Sequence, residues 1–410
     1  MSSKLGIYSQ AAGGALDLTS FKMTVDTTQS GSASDTIIIP FAANGTYTGV
    51  ISWGDGNVSA ATAGNVSHTY ATGGIYQISI SGAFGGLYFA GGGDRLKLSS
   101  IDQWGNNVFA SMTNAFADCS NMVGTFTDAP NLGTVTNLSN MFLKASSFNS
   151  NINNWDVSNV TDMSYMFYGQ WSTSLYNQPL NNWNVSNVTN MSNMFRAATV
   201  FSQDLNSWNV SNVSNFSGMF SSASAFNGNI SSWTPSSSTD TNGMFQGASG
   251  FVGDLSGWAT HTGNIINMGG MFQQCPHNSN IGSWNVSSVT NMSYMFYGNF
   301  SVSNFNQDIG SWNVSSVTDM NNMFSGATAF NQNIGSWNVS NVANFISFLP
   351  NGTSINFSTT NLDAIYNGWD SRAVQTPIVI TFGSAKYTAA SSTARASLVS
   401  KGWTITDGGI

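Results

Sequence analysis

Apolar residues return along most of this chain in one fixed order, separated by short polar stretches. In the segment opened by Trp183 they fall at Val185, Val188, Met191, Met194, Phe195, Ala198, Phe201 and Leu205, and Trp208 opens the next segment. The first four are spaced by three, which neither the 3.6-residue period of a helix nor the two-residue period of a strand requires. The spacing predicts a coil that turns corners, with a short strand near residues 189–191 and a brief helical turn near residues 192–198. Tryptophans at 155, 183, 208, 233, 258, 284, 312 and 337 mark the unit every 25 to 28 residues, and the phrase WNVSNVTNMSNMF at 183–195 returns as WNVSSVTDMNNMF at 312–324. A fixed period of this length predicts a solenoid, each coil burying its apolar face against its neighbours. Degenerate copies at Trp104 and Pro130 bring the expected number of coils to ten, opening at 104, 130, 155, 183, 208, 233, 258, 284, 312 and 337. Each column should stack on its copy, Trp on Trp and Phe on Phe. The asparagines at 184, 209, 285, 313 and 338 should form amide ladders that satisfy backbone groups at the corners.

The pattern changes at both ends. Residues 1–20 are small and polar and read as an N-terminal arm. Residues 21–93 hold β-rich runs, among them FKMTVDT, DTIIIPF, YTGVISW and IYQISISG, several alternating in period two between Gly, Asn, Ser and Asp clusters; they predict a β-sandwich. Residues 94–350 carry the repeats. In residues 351–410 the period breaks: LDAIYNGWDSRA and TARASLVSKG read as helices, PIVITF and WTITDGG as strands. This segment is expected to be a small α/β cap over the last coil, since an open β edge invites aggregation.

Only 7% of residues are charged, against about 25% in ordinary globular proteins. All 18 acidic residues are Asp, so solubility rests on Asn, Ser, Thr and Gly. Net charge is −8, and between Lys97 and Arg372 the only cations are Lys144 and Arg196. Nucleic-acid binding needs a basic stripe to neutralise phosphates, and there is none. The start has no apolar core of signal-peptide length, and no run approaches 18 apolar residues. These features predict neither general secretion nor membrane insertion, and with Met1 they suggest cytoplasmic synthesis followed by assembly into a particle. Cys119 and Cys275 lie six coils apart, about 29 Å at ~4.8 Å per stacked strand, too far for a disulfide.

Trp53-Gly54-Asp55-Gly56 forms a turn signal, followed by His68-Thr69-Tyr70 and by Gly74-Ile75-Tyr76 leading an alternating strand. This combination resembles the polycystic-kidney-disease (PKD) type immunoglobulin-like domain, with Trp where that family more often has Phe. The resemblance implies a spacer or interaction module. The repeated W-[ND]-V-S-x-V-T-x-M-x-x-M-F-x-x-A phrase, with F-N-Q-x-[IL]-x-x-W between copies as at 330–337, closely resembles the BspA-type leucine-rich-repeat family of bacterial surfaces and phage genomes. The coils opening at 233 and 258 depart from the phrase. The resemblance implies a mainly β fold: a leucine-rich-repeat-like solenoid of about ten 25–28-residue coils, with an immunoglobulin-like β-sandwich before it and a small α/β cap after it.

The chemistry-bearing residues are sparse. A zincin helix needs Glu, which is absent, and no P-loop, dinucleotide fingerprint, nucleophile elbow or CxxC occurs. Cys275, His277 and His261 make only three plausible ligands and read as loop residues in an irregular coil, so neither metal nor cofactor is expected. Asp204, Asp254 and Asp308 share one column, with the first two about 10 Å apart at two coil spacings. That lies just outside the carboxylate separation of inverting glycosidases, and so polar a groove gives little reason for a raised acid pKa. Two coils carry a three-residue insertion after Ser-Tyr-Met-Phe-Tyr-Gly, with aromatics at Tyr168, Trp171 and Tyr176 in one and Tyr297, Phe300 and Phe305 in the other. Such insertions map to one face, often the binding face. These rings either stack on sugars or pack over the coil edge.

The expected function is non-enzymatic: a phage virion protein, either a tail fibre, a receptor-binding protein or a capsid decoration protein, presenting its coils to a host surface. Expected partners are other virion proteins, further copies of itself, and a host-surface glycan or protein. A bacterial cell-envelope adhesin is the first alternative and a polysaccharide depolymerase the second.

Overall fold

The computed structural model describes residues 16–90, 92–169, 174–298, 303–349 and 357–410. The chain opens with strands β1 (Phe21–Asp26), β2 (Thr36–Phe41), β3 (Val50–Ser52), β4 (Val58–Ala60), β5 (Gly64–Thr69), β6 (Ile75–Ser81), β7 (Leu98–Gln103) and β8 (Val123–Gly124). One sheet has the order β4-β3-β6-β1-β7-β8, and β2 pairs with β5 in a second. Period-two burial drives the pairing: β1 buries Phe21, Met23 and Val25, and β2 buries Ile37, Ile39 and Phe41.

The Trp53–Gly56 turn joins β3 to β4. Gly54 sits at φ +84°, and a Cβ there would lie 2.5 Å from the Gln77 carbonyl oxygen, so both backbone conformation and space require glycine. Around this turn His68 stacks on Trp53 at 4.8 Å and its Nε2 lies 2.8 Å from Asp55 Oδ2. The Tyr70 hydroxyl donates to the Trp53 carbonyl at 2.9 Å. The turn and HTY signals therefore meet in one cluster.

The sandwich runs into the repeats. β7, which lies beyond the expected boundary at 93/94, pairs antiparallel with β1 and parallel with β8. A buried ion cluster pins the junction. Lys97 Nζ donates to the carbonyls of Ser32, Ala33 and Thr36 at 3.1, 2.7 and 2.7 Å, while Asp94 accepts from the backbone N–H groups of Ser32 and Ile38, each at 2.6 Å.

The expected mainly β, leucine-rich-repeat-like solenoid with a strand in every coil is corrected by the backbone. Among the described residues after β8, none forms a strand until the C-terminal segment. Successive coils meet instead through single-residue parallel bridges, from Asn137↔Asp162 and Asp162↔Asn190 to Asp319↔Asn344. The expected helical turn is likewise a run of turns. The reason is backbone handedness: in the coil of Trp183, Asn193 and Ala197 take left-handed φ of 55° and 56°. Equivalent residues elsewhere, among them Tyr165, Ser222, Tyr294 and Asn322, do the same. A left-handed residue every few positions stops any extended run.

Backbone pairing survives without strands. The N–H groups of Met191, Asn193, Phe195 and Ala197 donate to the carbonyls of Asn215, Ser217, Met219 and Ser221 in the next coil, at 3.0, 2.8, 2.9 and 2.7 Å. The asparagine columns work differently from expectation as well. Asn184, Asn209, Asn285, Asn313 and Asn338 each accept from a backbone N–H two residues on, closing their own turn. The amides that reach between coils are others, such as Asn187, Asn212 and Asn341, which donate to the carbonyls of Ser158, Ser186 and Ser315.

The apolar columns stack. Trp183, Trp208, Trp233, Trp258 and Trp284 lie 6.1 to 6.4 Å apart with nearly parallel rings. Each indole N–H from Trp183 to Trp337 donates to a carbonyl of the preceding coil, as Trp208 does to Leu180 at 2.9 Å. The irregular coil at 258 keeps its place in the column, its start taken up by a 3-10 helix at Ser256–His261.

The C-terminal segment comprises α1 (Thr359–Asp370), β9 (Ile378–Thr381), α2 (Ser392–Ser400) and β10 (Trp403–Thr406), with β9 and β10 parallel. Ser358 caps α1 by accepting from the Asn361 N–H. The helix then imitates a coil: Trp369 donates to the Ile334 carbonyl at 3.2 Å, continuing the indole column, and Asn361 bonds Asn331 as Gln332 bonds Asn306. No helix among the described residues is long and apolar enough to cross a membrane.

Candidate functional site

The repeat geometry dictates which side chains leave the stack. Tyr165 and Tyr294 occupy the left-handed corner, where the backbone turns the side chain away from the packed columns; Tyr165 is 38% exposed. Three residues on, Tyr168 and Tyr297 are half-buried, and each pairs with its corner tyrosine at ring separations of 5.9 and 5.6 Å. The Arg196 guanidinium lies over the Tyr168 ring at 5.9 Å, within cation–π range. The corner column between the two pairs carries Asn193, Gly218, Gly243 and Gly270. The two tyrosine shelves are thus five coils apart, about 24 Å at ~4.8 Å per step, across low ground.

Of the aromatics singled out from the insertions, Tyr168 and Tyr297 lie on these shelves. Trp171 and Phe300 lie outside the described residues. Tyr176 and Phe305 are corrected: both belong to the core. Tyr176 is 2% exposed and stacks on Phe167 at 4.2 Å, between Phe148 and Phe201; Phe305 is 1% exposed and stacks on Phe296 at 3.8 Å and Phe330 at 6.3 Å. After each insertion the chain regains its register, so the next aromatic fills the phenylalanine column. Sequence reasoning misses Tyr165 and Tyr294, which stand in the same Ser-Tyr-Met-Phe-Tyr-Gly phrase three positions before Tyr168 and Tyr297.

The other candidate clusters are engaged in folding. Asp204 accepts from the backbone N–H of Asn229 in the next coil, and Asp254 and Asp308 accept from Ser256 and Gly310 in their own turns, at 2.8, 2.9 and 2.9 Å. His277 replaces phenylalanine in its column. It is fully buried, stacks on Phe272 at 4.4 Å, and leaves Nδ1 without a partner while Nε2 lies 3.1 Å from the Ser279 hydroxyl. Burial pushes its pKa down to about 3, against the opposing charge of Asp254. Cys275 and Cys119 are buried free thiols, with Cys275 pushed up to about 12 by burial. No group of three His, Cys or Asp side chains able to hold a metal occurs among the described residues.

The geometry defines a repeat protein: a stack of turn-rich coils closed at one end by a sandwich and at the other by a helix that copies a coil. The chain belongs to the family described as "Mycoplasma protein of unknown function, DUF285", whose model matches residues 89–183, 110–210, 171–277 and 266–386. No curated protein and no solved structure matches the chain.

Proposed function

We propose that this is a non-enzymatic adhesion protein of a surface, displayed on a phage particle and binding a glycan of the host surface through its tyrosine shelves. The observation that carries the reading is the two tyrosine couples, Tyr165/Tyr168 and Tyr294/Tyr297, of which Tyr165 is exposed and the other three are half-buried, on either side of a corner column of Asn193, Gly218, Gly243 and Gly270. Aromatic faces stack on sugar rings, and a rigid scaffold lowers the entropic cost of binding an extended chain. The engagement of Asp204, Asp254 and Asp308 in backbone bonds supports adhesion over depolymerisation. The resemblances to BspA-type surface proteins and to PKD-type spacers point the same way.

The test is binding of the full chain to immobilised host-surface polysaccharide, alone and as the fourfold Tyr165→Ala, Tyr168→Ala, Tyr294→Ala, Tyr297→Ala variant. Binding should fall at least about tenfold with unfolding unchanged. A variant that binds like the wild type would refute the shelves as the contact surface. Immunogold labelling of released particles tests the location, and label confined to the cell envelope would move the protein to a cellular adhesin.

A further inference from the structure

We propose that a second, separate site, a notch between the coils opening at 104 and 183, binds a single pyranose sugar. It arises from a break in the repeat. Where other coils place tryptophan, the second coil has Pro130, and Phe126 packs into the gap at 5.4 Å from Trp104 and 6.3 Å from Trp155. The substitution leaves a cavity of about 460 Å³ lined by Phe126, Thr127, Asp128, Asn151, Asn153, Asn154 and Asn182. That volume falls in the range of small-molecule sites, about 300–1,000 Å³.

The lining is unlike the rest of the stack. The residue before the tryptophan is serine in several later coils, and Ser207, Ser232, Ser311 and Ser336 each spend the hydroxyl on a carbonyl of the preceding coil. At the notch that position is Asn154 and Asn182. Both are exposed, and within the described residues neither side-chain amide has a hydrogen-bond partner. Asn151 and Asn153 use their carbonyl oxygens on backbone N–H groups, at 3.0 Å to Asn153 and 2.9 Å to Asn182, and are held in place. Asp128 accepts from the N–H groups of Trp104 and Gly105 at 3.0 and 2.8 Å, which fixes the carboxylate while each oxygen keeps accepting capacity. Phe126 rests on two indoles, Trp104 and Trp155, whose buried N–H groups lack partners, whereas every indole N–H from Trp183 onward in the stack donates to a carbonyl.

This set fits a pyranose: one aromatic face for the C–H side of the ring, and primary amides with a carboxylate for its hydroxyls. No cation lines the notch, which disfavours a phosphate or an acidic sugar, and one carboxylate among amides is a weak metal site. The proposal does not depend on the tyrosine shelves, none of whose residues line the notch.

The experiment uses the full chain with glucose, galactose, mannose and N-acetylglucosamine, each at millimolar concentration, read by saturation-transfer NMR. At least one should receive saturation. The Asn154→Ser, Asn182→Ser double variant, which restores the serine that other coils use and should unfold as the wild type does, should weaken that binding at least about tenfold. Tyr165→Ala with Tyr168→Ala should leave it unchanged. The absence of binding by all four sugars would overturn the notch, as would wild-type binding by the double variant. Loss only in the tyrosine variant would assign the sugar to the shelves and also overturn it.

Discussion

Replacing His277 by phenylalanine should stabilise the coil stack, and by more at pH 5 than at neutral pH. His277 stands in a column that carries Phe251 one coil earlier and Phe305 one coil later, and it has no exposed surface. At neutral pH the gain comes from removing the buried, unpartnered Nδ1, on the order of 1–3 kcal/mol. The acid effect follows from its pKa, which burial holds at about 3 in the folded chain against an ordinary 6.5. Because the folded value is the lower one, the unfolded chain takes up the proton first. The wild type therefore holds its full stability above pH 6.5 and loses it as pH falls from 6.5 toward 3. At pH 5 the loss is about 2 kcal/mol, approaching ~5 kcal/mol once the folded state also protonates. Asp254 is the charged group that acts on His277, and it is common to both chains, as are His68 and His261. Urea unfolding of wild type and His277→Phe at pH 7.5 and 5.0, followed by tryptophan fluorescence, isolates the term as the change in their difference. Hydrogen exchange of the Phe272 and Cys275 amides provides a local readout should coils unfold separately. If the difference between the two chains is the same at both pH values, His277 does not titrate as a buried neutral side chain and the reasoning fails.

Four further outcomes follow from the packing. Lys97→Met should cost about 3–5 kcal/mol by leaving Asp94 buried without its cation, measured as a fall in the urea midpoint. Gly54→Ala should destabilise by more than about 1 kcal/mol, because φ is +84° and the new Cβ would meet the Gln77 carbonyl; an unchanged melting temperature would contradict the turn geometry. Trp369→Ala should cost about 3–5 kcal/mol and raise hydrogen exchange in the coil opening at 337 before it does so in the coil at 208. Cys119 and Cys275, both fully or almost fully buried, should resist a thiol reagent in buffer and react only in denaturant; rapid labelling of the folded chain would refute their burial.

The sequence alone determined the period and the columns. Trp, Val, Met and Phe recur at fixed offsets because each coil must bury the same face against the next, and that demand is written in residue identity. The turn at 53–56 and the two C-terminal helices were legible for similar reasons, since glycine and capping residues act over a few positions. The tertiary structure alone decided what the coils are made of. Nothing in the identity of Asn193 or Ala197 announces a left-handed backbone; their conformation is held by bonds to Ser217 and Ser221, one coil away in space and 24 residues away in sequence. Those bonds replace the strands that the apolar spacing suggested. The same long-range packing drew Tyr176 and Phe305 into the phenylalanine column, left Tyr165 and Tyr294 outside it, and opened the notch beside Pro130. Each outcome depends on what the neighbouring coil places opposite, which a residue's own sequence neighbourhood does not contain.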